Sequence, residues 1–326
     1  MTVDKPAFEI PTIDIGPYLR DPSSPEAAEI VRRVRDACMT TGFFSLVGHN
    51  ISRELRDKLF NAAEKLFALP LDVKKSLKPA VLKNRGYELI GSQALQEGAL
   101  PDLKEGYYVG KDIPAEHPQT KSHPYLIGPN IFPDGIADEE LKEPSEQYYD
   151  EAFELSLKVL EILARGLPYG DDIFEEFVSN DAVCSLRLLH YPPQTSKDAR
   201  QLGAGAHTDF GAITLLLQDS SGGLEVLNQG TGEWIPVEPN PDAYVVNIGD
   251  MLSLWTKNVY KSNVHRVINK STKDRYSMPF FFDGNADLKL VPFDGSEPVG
   301  GKVLTVEEHM LERFGTTYGR AEKAAA

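Results

Sequence analysis

Arg275-Tyr276-Ser277-Met278-Pro279-Phe280-Phe281-Phe282 alternates with the period of an extended strand, so Arg275, Ser277, Pro279 and Phe281 share one side. That side offers two polar groups able to hold an anion, followed by an aromatic ring facing a cavity. The same period runs through Val183 to Leu188, Thr214 to Gln218, Gly223 to Val226 and Ala243 to Ile248. Several short strands separated by turn signals predict a β-sandwich or barrel in the second half.

Upstream, the period changes. Phe8 to Ile15 alternates as a short strand, with Pro11 suggesting a sheet edge. From Glu26 to Thr40, Ala27, Ile30, Val31, Val34, Ala37 and Cys38 form one helical stripe that Gly42 would cap. Phe43 to Val47 reads as a buried strand. Ser52 is placed to cap a second helix carrying Leu55, Leu59, Ala62, Ala63, Leu66 and Phe67, which Pro70 closes. Lys83 to Asp138 breaks into Gly, Pro and polar residues, and a stretch this irregular more often serves function than connection alone. A long helix from Glu140 to Leu167 backs the core. The whole reads as a mixed α/β chain with a β-rich core, a single unit over 1–326. Its parts are an α/β segment (1–115), an irregular segment with the long backing helix (116–180), a strand-rich core (181–290) and a C-terminal helix and tail (291–326), with Glu322 to Ala326 frayed.

At 326 residues, with 41% hydrophobic and 25% charged content, the composition is that of an ordinary globular enzyme. The 34 basic residues against 49 acidic give a net charge of −15, which repels phosphate backbones and anionic membranes. The two cysteines, Cys38 and Cys184, sit in apolar surroundings and give no disulfide framework. Neither a secretory pattern at the start nor an apolar run of membrane-spanning length is seen. The expectations are a soluble, cytoplasmic protein with a small-molecule substrate, and with no nucleic acid, membrane or obligate protein partner.

Against this background stand His207-Thr208-Asp209 and the later His265. On a strand, His207 and Asp209 point to one face while Thr208 points away, and His265 arrives from another strand. Two imidazoles and a carboxylate fill one face of an octahedral ferrous ion and leave three positions open. Each piece has a plainer reading: His207 as a satisfied surface histidine, His265 as a strand histidine, Arg275 as a surface ion-pair partner and Ser277 as an edge residue. Their order along the chain, with Arg275 ten residues after His265, favours the joint reading. His49, His117, His123 and His309 have no partner at metal spacing and are expected at the surface. His190, on the opposite face from Tyr191, is expected to be structural.

The chain resembles the isopenicillin N synthase-like branch of the non-haem iron(II)/2-oxoglutarate-dependent dioxygenases. The likeness runs through Ile10-Pro11-Thr12-Ile13-Asp14, Thr41-Gly42-Phe43-Phe44, Asn84-Arg85-Gly86-Tyr87, Leu186 to Pro193, His207 to Gly211, Gly222 to Val226, Asn247 to Asp250, His265 to Val267 and Arg275 to Ser277. The resemblance implies a distorted double-stranded β-helix (jelly roll) flanked by helices. It implies His207, Asp209 and His265 as the metal and catalytic residues. Arg275 and Ser277 become a clamp on the far carboxylate of 2-oxoglutarate, Tyr191 a further donor to it, and Asn247 a polar neighbour of the metal. Cofactors would be Fe(II), 2-oxoglutarate as co-substrate and O2. The implied reaction oxidises an unactivated C–H of a small organic metabolite, with secondary metabolism as the expected setting, by hydroxylation, desaturation or ring closure, with release of succinate and CO2. Two alternatives stay open: an oxidase of the isopenicillin N synthase type that does not use 2-oxoglutarate, and a non-catalytic small-ligand binder. Substrate contacts are expected from Phe281, Arg85, Tyr87 and Tyr107. Phe281 could equally be core, and Arg85 a structural ion pair in the loop after Pro79.

Overall fold

The period-two segments become the strands of two sheets in a computed structural model that describes residues 8–298 and 300–325. The first half contains β1 (Thr12–Asp14), α1 (Gly16–Arg20), α2 (Pro25–Thr40), β2 (Phe43–Val47), α3 (Arg53–Phe67), α4 (Leu71–Ser76), β3 (Gly86–Glu88), β4 (Glu105–Gly110), α5 (Pro118–Ser122) and α6 (Lys142–Arg165). The second contains β5 (Val183–Tyr191), β6 (Ala204–His207), β7 (Ile213–Gln218), β8 (Leu224–Asn228), β9 (Glu233–Pro236), β10 (Tyr244–Ile248), α7 (Asp250–Trp255), β11 (His265–Val267), β12 (Arg275–Gly284) and α8 (Val306–Ala325).

The larger sheet has eight strands in the order β1-β2-β10-β7-β12-β5-β4-β3, and the smaller has four in the order β6-β11-β8-β9. Leu189, Tyr191, Phe43 and Val245 of the first pack with Ala204, Leu224, Val226 and Val267 of the second. This small inner core lies between the sheets and is the jelly-roll interior. The larger apolar core lies on the other side of the eight-stranded sheet, under α2, α3 and α6. Strands from the first 115 residues flank the sheet on both sides, since β2 pairs with β10 and β4 with β5.

Local chemistry explains the helix limits. Ser24 Oγ accepts the Ala27 N–H at 3.1 Å with Pro25 at the first helical position, and Ser52 Oγ accepts the Leu55 N–H at 3.1 Å, each satisfying a donor that has no partner within its helix. After α2, Gly42 takes φ +73°, and a Cβ there would meet the Lys261 carbonyl oxygen at 2.0 Å. No other residue fits that turn. The long helix starts at Lys142 rather than Glu140 because Asp138–Glu140 form a 3-10 turn. The five-residue α1 was not foreseen, being too short to show a period.

Pro279 lies in β12, which is central, between β7 and β5. It has no N–H to donate, and the β12–β5 register passes from Ser277↔Leu189 to Phe280↔Leu186 with no partner for 278 and 279. The β7 side is continuous there. The expected frayed tail needs correction: residues 322–325 continue α8, and Ala326 lies outside the described residues. No helix among the described residues is long and apolar enough to cross a membrane.

Candidate active site

His207 ends β6 and stands opposite His265 of β11 in the strand register. Asp209 follows just past the strand end. The ligand atoms of the three all lie within 4.8 Å of one another, with His207 Nε2 and His265 Nε2 each 3.7 Å from Asp209 Oδ1. Each imidazole directs its other nitrogen to a backbone carbonyl, His207 Nδ1 to Gly205 O at 2.7 Å and His265 Nδ1 to Asn263 O at 3.2 Å. A carbonyl only accepts, so Nδ1 carries the proton and both Nε2 lone pairs face Asp209. Asp209 Oδ2 is occupied in turn, by Thr214 Oγ1 at 2.5 Å and Asn247 Nδ2 at 2.7 Å. Its Oδ1 stays directed at the imidazoles.

The charge states suit a cation. Burial pushes the Asp209 carboxyl up, but the two imidazoles and its two hydrogen bonds outweigh this and hold it below its ordinary value. Burial, then the neighbouring His265, pushes the His207 imidazole down. Two imidazole nitrogens and one carboxylate oxygen are the donor set of a ferrous site with open positions. Thr208 turns away, donating to Asp250 Oδ2 at 3.1 Å.

Beside the triad is a cavity of about 60 Å³ lined by Tyr191, Asn247, Arg275, Ser277 and Phe281 together with the three ligand residues. Arg275 is fully buried. It donates to Gly222 O at 2.7 Å, Ser277 Oγ at 3.2 Å and Gln218 Oε1 at 3.2 Å, and lies 4.8 Å from the Tyr191 ring centroid. These partners are all neutral, and among the described residues no carboxylate pairs with it. The buried Gln218 Nε2 beside it also lacks an acceptor. A buried guanidinium without an anion is costly, and a carboxylate entering the cavity that Arg275 lines would compensate it. The residues present therefore fit a co-substrate acid as well as a metal. Lys104 lines the same cavity with its ammonium held by Asp102.

A second cavity of about 60 Å³ also touches His207 and Asp209, lined further by Gln93, Tyr108, Ser185, Arg187, Phe210, Phe281, Asp283 and Phe314. It shares Tyr108 and Phe314 with an outer cavity of about 580 Å³ between residues 78–92 and α8. The two strands at the centre serve both inner cavities. On β12, Arg275, Ser277, Pro279 and Phe281 line the first, and Phe281 and Asp283 the second. On β5, Arg187, Leu189 and Tyr191 line the first, and Ser185 and Arg187 the second.

The substrate residues expected from sequence separate. Phe281 lines both inner cavities. Arg85 and Tyr87 line only the outer one. Arg85 donates to the backbone carbonyls of Asn84 at 2.9 Å and Lys111 at 3.0 Å, burial pushes it down to about 10, and no ion pair holds it among the described residues. The Tyr87 hydroxyl donates to Glu105 Oε2 at 2.6 Å. Tyr107 is fully buried in the main core with its hydroxyl on the Ile131 carbonyl, and it is Tyr108 that faces the site. His49 and His123 are buried rather than at the surface; His123 Nδ1 lies 3.0 Å from Glu307. His190 bridges Glu105 at 2.7 Å and Asp274 at 2.8 Å, a structural arrangement. Arg187, Ser185, Asp283, Tyr108 and Thr214 were missed. For Asp283, the strand parity carried one step beyond Phe281 would have found it.

Comparison with known proteins agrees with this geometry. Residues 182–284 match the 2OG-Fe(II) oxygenase superfamily, and residues 10–135 match the family described as non-haem dioxygenase in morphine synthesis N-terminal. The chain is 51% identical over 321 residues to the 2-oxoglutarate-dependent dioxygenase citB of Monascus ruber, covering 96% of this chain and 97% of that protein. It is 42% identical over 333 residues to clavatol oxidase claD of Penicillium crustosum, covering 97% and 98%. A full-length Neurospora crassa protein solved in complex with alpha-KG, which is 2-oxoglutarate, and thymine superposes with a TM-score of 0.80 at 28% identity, covering 94% of this chain and 96% of that one.

Proposed function

This chain belongs to the 2-oxoglutarate–iron(II) oxygenase superfamily, and we propose that its oxidation falls on a C–H of a compact ring compound seated between Phe281 and Phe314. It is a dioxygenase that uses iron(II), 2-oxoglutarate and O2. In our reading His207, Asp209 and His265 hold the iron, with Asn247 and Thr214 fixing the Asp209 carboxylate. Arg275 and Ser277 hold the far carboxylate of 2-oxoglutarate, and Tyr191 stands beside them.

The observation that carries this assignment is the charge of Arg275, fully buried and surrounded only by neutral partners. A dicarboxylate whose far end reaches it gains charge-assisted hydrogen bonds in a site already desolvated. When bound, iron with 2-oxoglutarate and O2 supplies an oxidant able to take hydrogen from an unactivated C–H, releasing succinate and CO2. The protein's part is positioning and exclusion of water. Arg275 and Ser277 set the depth of the co-substrate. Phe281, facing both inner cavities, separates it from the substrate, and Phe210, Phe314, Leu95 and Met310 give the second cavity apolar walls. A flat ring suits those walls, and the superposed Neurospora structure holds one, thymine.

The net charge of −15 supports a small-molecule substrate over nucleic acid, and two buried free thiols support a reducing, cytoplasmic setting. The test is anaerobic titration of the ferrous protein with 2-oxoglutarate. A visible charge-transfer band is expected, followed on exposure to air by succinate formation that depends on 2-oxoglutarate. Absence of both the band and succinate would overturn the assignment.

A further inference from the structure

Asp283 is the acidic residue that the chemistry above leaves without a task. It is 2% exposed, its Oδ1 is buried without a hydrogen-bond partner, and it lines the second inner cavity next to His207 and Asp209. Buried carboxyl oxygens are ordinarily satisfied, so a group left open against a cavity wall points to a partner that comes and goes. Its placement is specific. A Cβ at residue 211 would lie 2.2 Å from Asp283 Oδ1, so Gly211 makes room for the carboxyl against the loop that carries Asp209. Arg187, the cation in the same wall, is already paired with Glu88. Burial, helped by the charge of Asp209, pushes the Asp283 carboxyl up to about 8. A neutral carboxylic acid presents one donor and one acceptor side by side. Ser185 adds a hydroxyl to the same wall, Gln93 an amide already bonded to Thr317 and Arg187, and Leu95, Phe210, Phe281, Met310 and Phe314 give it aromatic and aliphatic surface.

We propose that Asp283 is the recognition group of the substrate cavity, forming a hydrogen bond with a hydroxyl carried on the substrate's ring, so that the enzyme takes a phenolic compound and rejects its ether. The inference rests on the reading of this cavity as the substrate seat. The unpartnered Oδ1 of Asp283 accepts the phenol O–H. An ether brings no donor and leaves that buried acceptor oxygen unsatisfied. Sites built around such a bond discriminate strongly against analogues that lack it.

The test is calorimetric binding to the full-length ferrous protein with 2-oxoglutarate, without oxygen, using 3,5-dimethylphenol, 3,5-dimethylanisole and thymine as probes. Wild-type protein is expected to bind the phenol at least about tenfold more tightly than the ether. Asp283→Leu should bring the two within about twofold, and Asp283→Asn, which keeps a donor and an acceptor, should restore most of the preference. If Asp283→Leu fails to fold, Asp283→Ala is read in its place. The proposal is overturned if wild-type protein does not bind the phenol, if it prefers the ether or binds thymine in place of the phenol, or if the preference survives unchanged in the leucine variant. The 2-oxoglutarate charge-transfer band, recorded on the same samples, separates the outcomes. A lost band in wild-type protein, with no succinate formed on exposure to air, sinks the oxygenase assignment, whereas an intact band with no phenol preference sinks only the role of Asp283.

Discussion

The two inner cavities are built from the same pair of strands and differ in how far their polar groups are satisfied. At the co-substrate end, Arg275 has three protein partners and Asp209 has both carboxyl oxygens engaged or aimed. At the substrate end, Asp283 Oδ1 has none. On the proposed reading the first end is arranged in advance for one fixed acid, with a single charge awaiting compensation. The second keeps an unpartnered carboxyl oxygen amid largely aromatic walls, which in our proposal selects the substrate. Preorganisation and selectivity thus sit a few residues apart on β12.

This contrast is broken most decisively at the metal. Asp209→Ala should lower iron affinity by more than about a hundredfold, beyond the effect of losing a supporting group, read as iron stoichiometry after dialysis, with succinate formation lost. Arg275→Gln should raise the dissociation constant of 2-oxoglutarate by roughly a hundredfold, about 2–3 kcal/mol, measured from the charge-transfer band. Arg275→Lys should not recover it, because the forked geometry is lost. Asn247→Ala should weaken iron binding by about tenfold and leave the 2-oxoglutarate constant of the iron-loaded protein almost unchanged.

Smaller effects sharpen the comparison through stability. The folded-state pKa of Asp283 lies above its unfolded value, so the folded metal-free protein binds the extra proton. Stability from this group is present below about pH 4 and is lost as pH rises toward 8. Asp283→Asn should therefore melt a few degrees above wild type at pH 8, and the difference should shrink as pH falls toward 4, checked by thermal denaturation of metal-free protein. Tyr107→Phe should cost about 1 kcal/mol of stability and alter neither binding constant, which would confirm that Tyr107 belongs to the core and not to the site.

How much was readable in advance follows the same division. Strand parity put His207 with Asp209 and Arg275 with Ser277, and it was their order along the chain and the family resemblance that joined His265 and the clamp to one site. Asp283 was lost because three phenylalanines ended the strand reading at Phe282, while β12 runs on to Gly284. Tyr107 was chosen over Tyr108 because β4 is buried along its whole length, and a strand covered on both faces has no alternation to show which side meets the cavity. Arg85 looked like a ligand for an acid, but its partners are backbone carbonyls that no spacing reveals. His123 was assigned to the surface because Glu307, which pairs with it, lies on a helix remote in sequence.

The way β2 and β4 lie against β10 and β5 sets a limit on dissecting this enzyme. Cut free of its first 115 residues, the catalytic half would present two long rows of unpaired amides and carbonyls, each a template for a neighbouring chain. The polypeptide that carries all three proposed metal ligands would then be prone to aggregate before it could bind iron, so the amino-terminal segment works as a built-in guard against self-association.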